Sequence, residues 1–357
     1  MVNLKRALLL FTVVFFTTNL FAVQGQQAEL STPEEIQEYS AHHVKDDYYF
    51  SLFSNKQTGK HYGFPLPVIL IDNGLKIFSS AEFHHGETVV EKDGQHYRLY
   101  HGKIYKTDAA GTITYNEKHY PTNEKPWDFS ITKNVTGLFI ATIILVWAFL
   151  SLAKTYKKSP NNLPVGLGRF LEPLVLFVRD EMAQPNIGHR YKEFTPYLLA
   201  VFFLIFLLNL MGLTPIGFNV TGNITITFGL AIITFLITNL KANKAYWKHI
   251  FWMPGVPVPF KIILAPIEVI GMFTKPFSLM LRLFANMTAG HFVLMGFIAV
   301  IYLFQNQLTL GGSIGVSMLL TLIIFALKLL VAFLQAFIFT MLSSLFIGMA
   351  IEEHADH

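Results

Sequence analysis

Apolar runs separated by short basic segments set the layout of this chain beyond residue 130. Residues 135–153 give nineteen positions without a charge, followed at once by Lys154, Lys157 and Lys158. Such a run is long enough to cross a hydrocarbon core of about 30 Å as a helix. Comparable runs lie at 197–213 and 224–240, and the segment joining them, 213–223, holds no lysine or arginine. By contrast, 154–196 holds seven basic residues and 241–261 holds four. Basic residues gather on the cytoplasmic side of a membrane, which puts these two segments in the cytoplasm and everything before residue 131 on the opposite side. An amphipathic piece at 171–182 is expected to lie along the cytoplasmic surface.

Apolar character then continues for 42 residues at 262–303 and for 37 at 313–349. As single helices these would reach about 63 Å and about 55 Å, too long to stand upright in a bilayer. Either each is one strongly tilted helix, or Thr274-Lys275-Pro276 and Gly290 break the first into two spans.

The N-terminal part follows another pattern. Lys5 and Arg6 precede an apolar run at 7–16 and small residues near Ala22 and Gly25, so residues 1–25 are expected to be a cleaved secretory signal, the alternative being a retained first span. Residues 26–130 are polar enough for a small folded domain. Thr32-Pro33-Glu34-Glu35 forms a capping box with proline at the first helical position, predicting a short helix toward Val44. Residues 67–71, 75–78, 88–90, 96–100 and 104–107 read as strands, with Asp72-Asn73-Gly74 and Asp93-Gly94 as turns. A small β-meander is expected. Its histidines (His42, His43, His84, His85, His96 and His101) lack the fixed spacing of a zinc site and read as solvated surface groups.

Composition narrows the function. With 52% hydrophobic and 14% charged residues the chain is too apolar for a water-soluble globule. The net charge of +4 sits mainly beside the apolar runs, as membrane topology requires, so no nucleic-acid partner is expected. There is no cysteine, which excludes disulfides and thiolate metal sites. Gly59-Lys60 and Gly102-Lys103 lack the spacing and following hydroxyl of a phosphate-binding loop. No active site for ATP, no metal and no cofactor are expected. A membrane hydrolase would need a nucleophile and base or a metal cluster at membrane depth, and His291 stands alone there.

The residue that asks for a function is Arg282, within FSLMLRLFANMTAGH at 277–291. A guanidinium in hydrocarbon costs about 2.5–3.5 kcal/mol on insertion scales, and it cannot shed its proton. It therefore needs an anion.

This region resembles the a subunit of F-type ATP synthases. The resemblance rests on KPFSLMLRLFANMTAGH at 275–291, LQAFIFTMLSSLFI at 334–347 and, more loosely, PYLLAVFFLIFLLNLMGLTP at 196–215. It implies an all-α polytopic membrane protein: five transmembrane helices, the last two long and strongly tilted around a rotor ring, with amphipathic cytoplasmic helices and a cytoplasmic C-terminus. The domain at 26–130 would be a mostly β, extracytoplasmic addition to the family's common form. The implied partners are the ring's c subunits, the peripheral-stalk b subunits and membrane lipid, in a bacterial inner membrane.

The same resemblance implies site residues. Arg282 would attract each ring carboxylate in its ionised form and block a direct leak between two half-channels. Asn286, four residues on, shares its helical face, with pairing to a neighbouring helix as the alternative. Glu268 matches a family acid of the cytoplasmic half-channel; a salt bridge to Lys261 or Lys275 is the plainer reading. Gln335 matches the glutamine that faces the arginine from the last helix. His291 and Lys328 occupy positions where the family usually pairs an acid with a histidine or other polar group, and this chain offers no acid there. His291 suits a proton relay in the outer half-channel; Lys328 is either a relay or a snorkelling structural lysine. The coupling ion is expected to be the proton, with sodium as the alternative.

Overall fold

A computed structural model describes residues 46–55, 60–158, 166–213, 218–253, 255–305 and 310–352. The expected signal at 1–25, the capping-box helix, His42 and His43 lie outside the described residues. Among those described, residues within 1–139 and 214–219 form one compact unit, and those within 140–213 and 220–357 form another.

The first unit is built from eight short strands in three antiparallel sheets. β1 (Tyr49–Asn55) pairs with β2 (Lys60–Pro65). β3 (Pro67–Ile71) lies between β4 (Leu75–Ser79) and β8 (Trp127–Asp128). β5 (Val89–Lys92), β6 (Gln95–Tyr100) and β7 (Lys103–Thr107) follow one another as a meander. The expected single meander is thus corrected: it describes β5 to β7 only, because β8 returns from twenty residues beyond β7 to close on β3. The β1–β2 hairpin was not anticipated either.

Turn chemistry sets the registers. Asp93 and Gly94 both take positive φ (52° and 77°), as a two-residue hairpin turn demands, between Lys92 and Gln95. His101 and Gly102 do the same (47° and 72°) between Tyr100 and Lys103. Alternation along β3 and β4 sends Val68, Leu70 and Phe78 inward, where they join Phe83, Tyr97 and Ile104 in a core. At its edge Asp72 accepts 2.7 Å from Lys106 Nζ and 2.8 Å from the Tyr97 hydroxyl. The Lys106 contact holds the Asp72 carboxyl below its usual range, while burial pushes the Tyr97 phenol up.

The β unit is tied directly to the first long helix, α1 (Lys133–Lys158). Phe129 N and Ile131 N donate to the carbonyls of Ile69 and Pro67 (2.9 and 3.1 Å), and Lys133 N donates to Asp47 (2.8 Å). Asp46 accepts from the Thr132 hydroxyl (2.9 Å) and from Asn134 N (3.0 Å). A helix begins with unpaired N–H groups and a positive dipole end, and this carboxylate answers both.

The helical unit continues with α2 (Leu167–Phe177), a π-helical turn (Val178–Ala183), α3 (Gln184–Ile187), α4 (Tyr191–Gly212), α5 (Ile224–Leu240), α6 (Lys244–Phe251), α7 (Val258–Gln305) and α8 (Leu310–Ile351). The surface piece expected at 171–182 is therefore not one regular helix. Among the described residues four helices are long and apolar enough to cross a membrane, and a fifth is reached if the pair α5–α6, bent by 102°, is counted as one span. α7 and α8 are unbroken, which decides between the two readings of the long runs: neither Pro276 nor Gly290 interrupts α7. Exposed backbone has no water to bond within hydrocarbon, so the helix persists through its prolines. In the turn before Pro276 the Thr274 hydroxyl bonds the Gly271 carbonyl at 2.9 Å.

α4 is the hub of this unit, with Leu198, Phe202, Ile205 and Leu208 fully buried. Its Phe202 ring meets Phe333 of α8 edge-on at 6.0 Å. Asn209 accepts from Thr221 (2.9 Å) and donates to the Ala332 carbonyl of α8 (3.5 Å).

Candidate functional site

The site is organised by α7, which carries Glu268, Arg282, Asn286 and His291 on one continuous helix. Arg282 is half-buried among Leu279, Met280 and Leu283, which are 2–5% exposed. Among the described residues it forms no ion pair, and its Nη1 is buried without a hydrogen-bond partner. A buried donor left unpaired costs about 1–3 kcal/mol, more when charged. The arginine therefore sits on α7 with its electrostatic demand unmet among the described residues.

Glu268 does not meet that demand. Fourteen residues along an unbroken helix return it to nearly the same face but about 21 Å away. Nor does it form a salt bridge with either lysine. Lys261 lies over the Trp252 ring at 4.6 Å, and Lys275 over the Phe346 ring at 5.3 Å. Glu268 acts on Lys275 and Tyr246 through space only.

Asn286 falls one turn beyond Arg282 and is half-buried. His291 lies in α7 at the backbone level, and its side chain is outside the described residues. α8 packs against α7 and supplies the other two residues. Gln335 is buried at 8% exposure, and its Oε1 has no hydrogen-bond partner. Lys328, seven residues earlier on the same face, is half-buried and forms no ion pair among the described residues. Each of the two packed helices thus carries an unmatched polar atom, Nη1 of Arg282 on α7 and Oε1 of Gln335 on α8, with no direct hydrogen bond between the two residues among the described ones.

One polar cluster escaped the sequence reading. Thr234, Thr238 and Asn239 of α5, Tyr246 of α6 and Lys275 of α7 line a cavity of about 10 Å³, room for one water. Asn239 Oδ1 is buried there without a partner. The signal available in the sequence was the four-residue spacing of Thr234 and Thr238, which puts both on one face of an otherwise apolar helix.

Chemically, this is a fixed cation in an apolar helix with a donor left over, not a constellation of nucleophile and base. Such a group can attract an anion and orient it; it cannot itself transfer a proton.

Residues 135–348 match the family model for the ATP synthase A chain, and residues 39–129 match a domain of unknown function (DUF8433). ATP synthase subunit a 2 of Prosthecochloris aestuarii is 41% identical over 307 residues, covering 82% of this chain and 92% of the relative. ATP synthase subunit a 2 of Chlorobium luteolum is 46% identical over 254 residues, 69% of this chain and 72% of the relative. ATP synthase subunit a of Chloroherpeton thalassium is 45% identical over 235 residues, 65% and 69% respectively. With a model spanning more than half its length and its long apolar helices in place, the chain belongs to the ATP synthase subunit a family, multi-pass proteins of the membrane sector of the F-type enzyme.

Proposed function

We propose that this chain conducts protons across a bacterial inner membrane as the static partner of a rotating ring of c subunits. The observation that carries the reading is Arg282: a permanent cation, half-buried in an apolar helix, with Nη1 unpaired and no ion pair among the described residues. An anion supplied by another subunit resolves the cost, and a ring carboxylate does so once per passing subunit. The guanidinium holds that carboxylate ionised and so favours proton release, and it bars protons from running straight between two half-channels. Each proton moved down the potential is worth about 2.3 kcal/mol per 100 mV, which a leak would dissipate.

Glu268 with the cavity beside Lys275 marks the cytoplasmic half-channel in this reading. Gln335 and Asn286 border the ring, and His291 and Lys328 serve the outer half-channel. The basic residues of 154–196 and 241–261 support a cytoplasmic location for those segments. Residues 26–130 then stand outside the cytoplasm behind a cleaved signal at 1–25, the C-terminus faces the cytoplasm, and b subunits bind on that side.

Inverted membrane vesicles carrying Arg282→Ala or Arg282→Lys in the assembled enzyme test this. ATP-driven acidification is expected to fall to background in both, with normal amounts of complex. Pumping at the wild-type rate would overturn the proposal.

A further inference from the structure

The sheet β4-β3-β8 carries large apolar side chains on both faces. One face belongs to the core, with Val68, Leu70 and Phe78 buried. On the other, the register lays out two rows of three. Leu75 pairs with Ile71, which pairs with Trp127; Ile77 pairs with Ile69, whose carbonyl accepts from Phe129 N. Ile69 is half-buried, and the other five are between 45% (Ile71) and 75% (Trp127) exposed. An antiparallel sheet with one buried face normally turns polar residues to water on the other. A contiguous apolar patch of this kind marks a surface that is covered in use.

The chain itself points to the cover. Lys133, where α1 begins, is four positions beyond Phe129, so the patch edge lies within about 14 Å of the head of a membrane-spanning helix. That link is hydrogen-bonded along its length. Phe129 N, Ile131 N and Lys133 N are bonded into the β unit, and Asp46 holds Thr132 and Asn134. The residues nearest the helix are Trp127 and Phe129, and aromatic side chains, tryptophan above all, gather at the level of lipid headgroups. A face fixed beside a span, apolar throughout and aromatic on the span side, has the chemistry of an interfacial anchor.

We infer that this face of the β4-β3-β8 sheet rests in the headgroup and upper acyl region of the leaflet where α1 enters. The bilayer itself is the partner, and the β unit is a membrane-seated domain, not one standing clear in water. The inference holds whichever side that leaflet faces and does not depend on Arg282.

The absence of cysteine makes the test direct. Leu75→Cys and Ile77→Cys, made separately in the full chain within the assembled complex, are spin-labelled in native-lipid vesicles. Collision rates are measured with oxygen, which concentrates in lipid, and with a water-soluble nickel chelate. Both substitutions remove exposed side chains, and complex yield is measured alongside. The expected result is an oxygen-to-nickel ratio severalfold above that of a free aqueous label at both sites. Equal accessibility to the nickel chelate and the free label would mean a face open to water. Protection from both reagents would mean a face covered by protein, residues 1–45 or another subunit. Either outcome overturns the inference.

Discussion

Gly348 of α8 lies so close to Asn186 that a Cβ added to it would sit 1.9 Å from the Asn186 carbonyl oxygen. The neighbouring contacts explain the closeness: the Asn186 amide donates to the Met182 carbonyl at 2.8 Å and to Ser344 Oγ at 3.0 Å, clamping α3 onto α8. Backbone, not a flexible side chain, would have to move. Gly348→Ala should therefore lower the thermal stability of the chain by about 1–3 kcal/mol, the usual cost of overfilling a packed site. Gly229→Ala, where nothing lies within 4 Å in the interior of α5, should cause no loss and add at most about 1 kcal/mol. Melting of the purified full-length proteins in detergent compares the two.

The pair Asn209 and Thr221 gives a second test. Both are buried, at 7% and 0% exposure, and Thr221 donates to Asn209 Oδ1 at 2.9 Å. Thr221→Val strands that acceptor, at a cost of about 1–3 kcal/mol. Asn209→Leu combined with Thr221→Val removes both partners and should recover part of the loss. A double-mutant cycle read by thermal melting decides it.

Gln335 separates a packing role from a functional one. Its Oε1 has no partner to lose among the described residues, so Gln335→Leu should leave the amount of assembled complex unchanged. If the amide serves the arginine, ATP-driven pumping should fall about tenfold, equivalent to about 1.4 kcal/mol. Unchanged pumping would reduce the residue to packing.

The β unit should loosen in acid through Asp72. Its carboxyl has a folded value held below the ordinary 3.8, chiefly by the Lys106 hydrogen bond. Between that depressed value and 3.8 the unfolded state binds more protons than the folded one. The stabilisation is thus close to complete above about pH 5 and is lost as pH falls through 3.8 and then through the folded value. Amide protection of β6 and β7, corrected for intrinsic exchange, should drop over that interval in the native chain. In Asp72→Asn the step should vanish.

Much of the architecture was written in hydrophobic periodicity and turn residues. Residues 224–240 were legible as a span, and 67–71 as a strand, because run length and Gly or Asn punctuation act locally. Other features depend on partners distant in sequence. β8 is two residues long and exists because Ile71 and Leu70 pair with it across more than fifty positions. His101-Gly102 turns the chain as Asp93-Gly94 does, yet histidine is a weak turn signal compared with aspartate. The continuity of α7 through Pro276 was undecidable from composition, since proline ends a helix in water more readily than in an apolar setting. At the site, Arg282 announced itself by its cost. Thr234, Thr238 and Asn239 did not, because hydroxyls and amides are cheap in a helix until packing shows what they enclose.

The far end of α8 is held at the α5–α6 corner: Asn243 N donates to the Ala350 carbonyl at 2.9 Å, and its Nδ2 donates to the Ile351 carbonyl at 2.6 Å. These two bonds occupy carbonyls that a helix end leaves over, and they have a mechanical meaning. Gln335 stands fifteen residues from Ala350, a lever arm of about 22 Å. A sideways push at Gln335 is a bending moment on a beam that Asn243 holds at that corner and Asn186 holds nearer by, at Ser344.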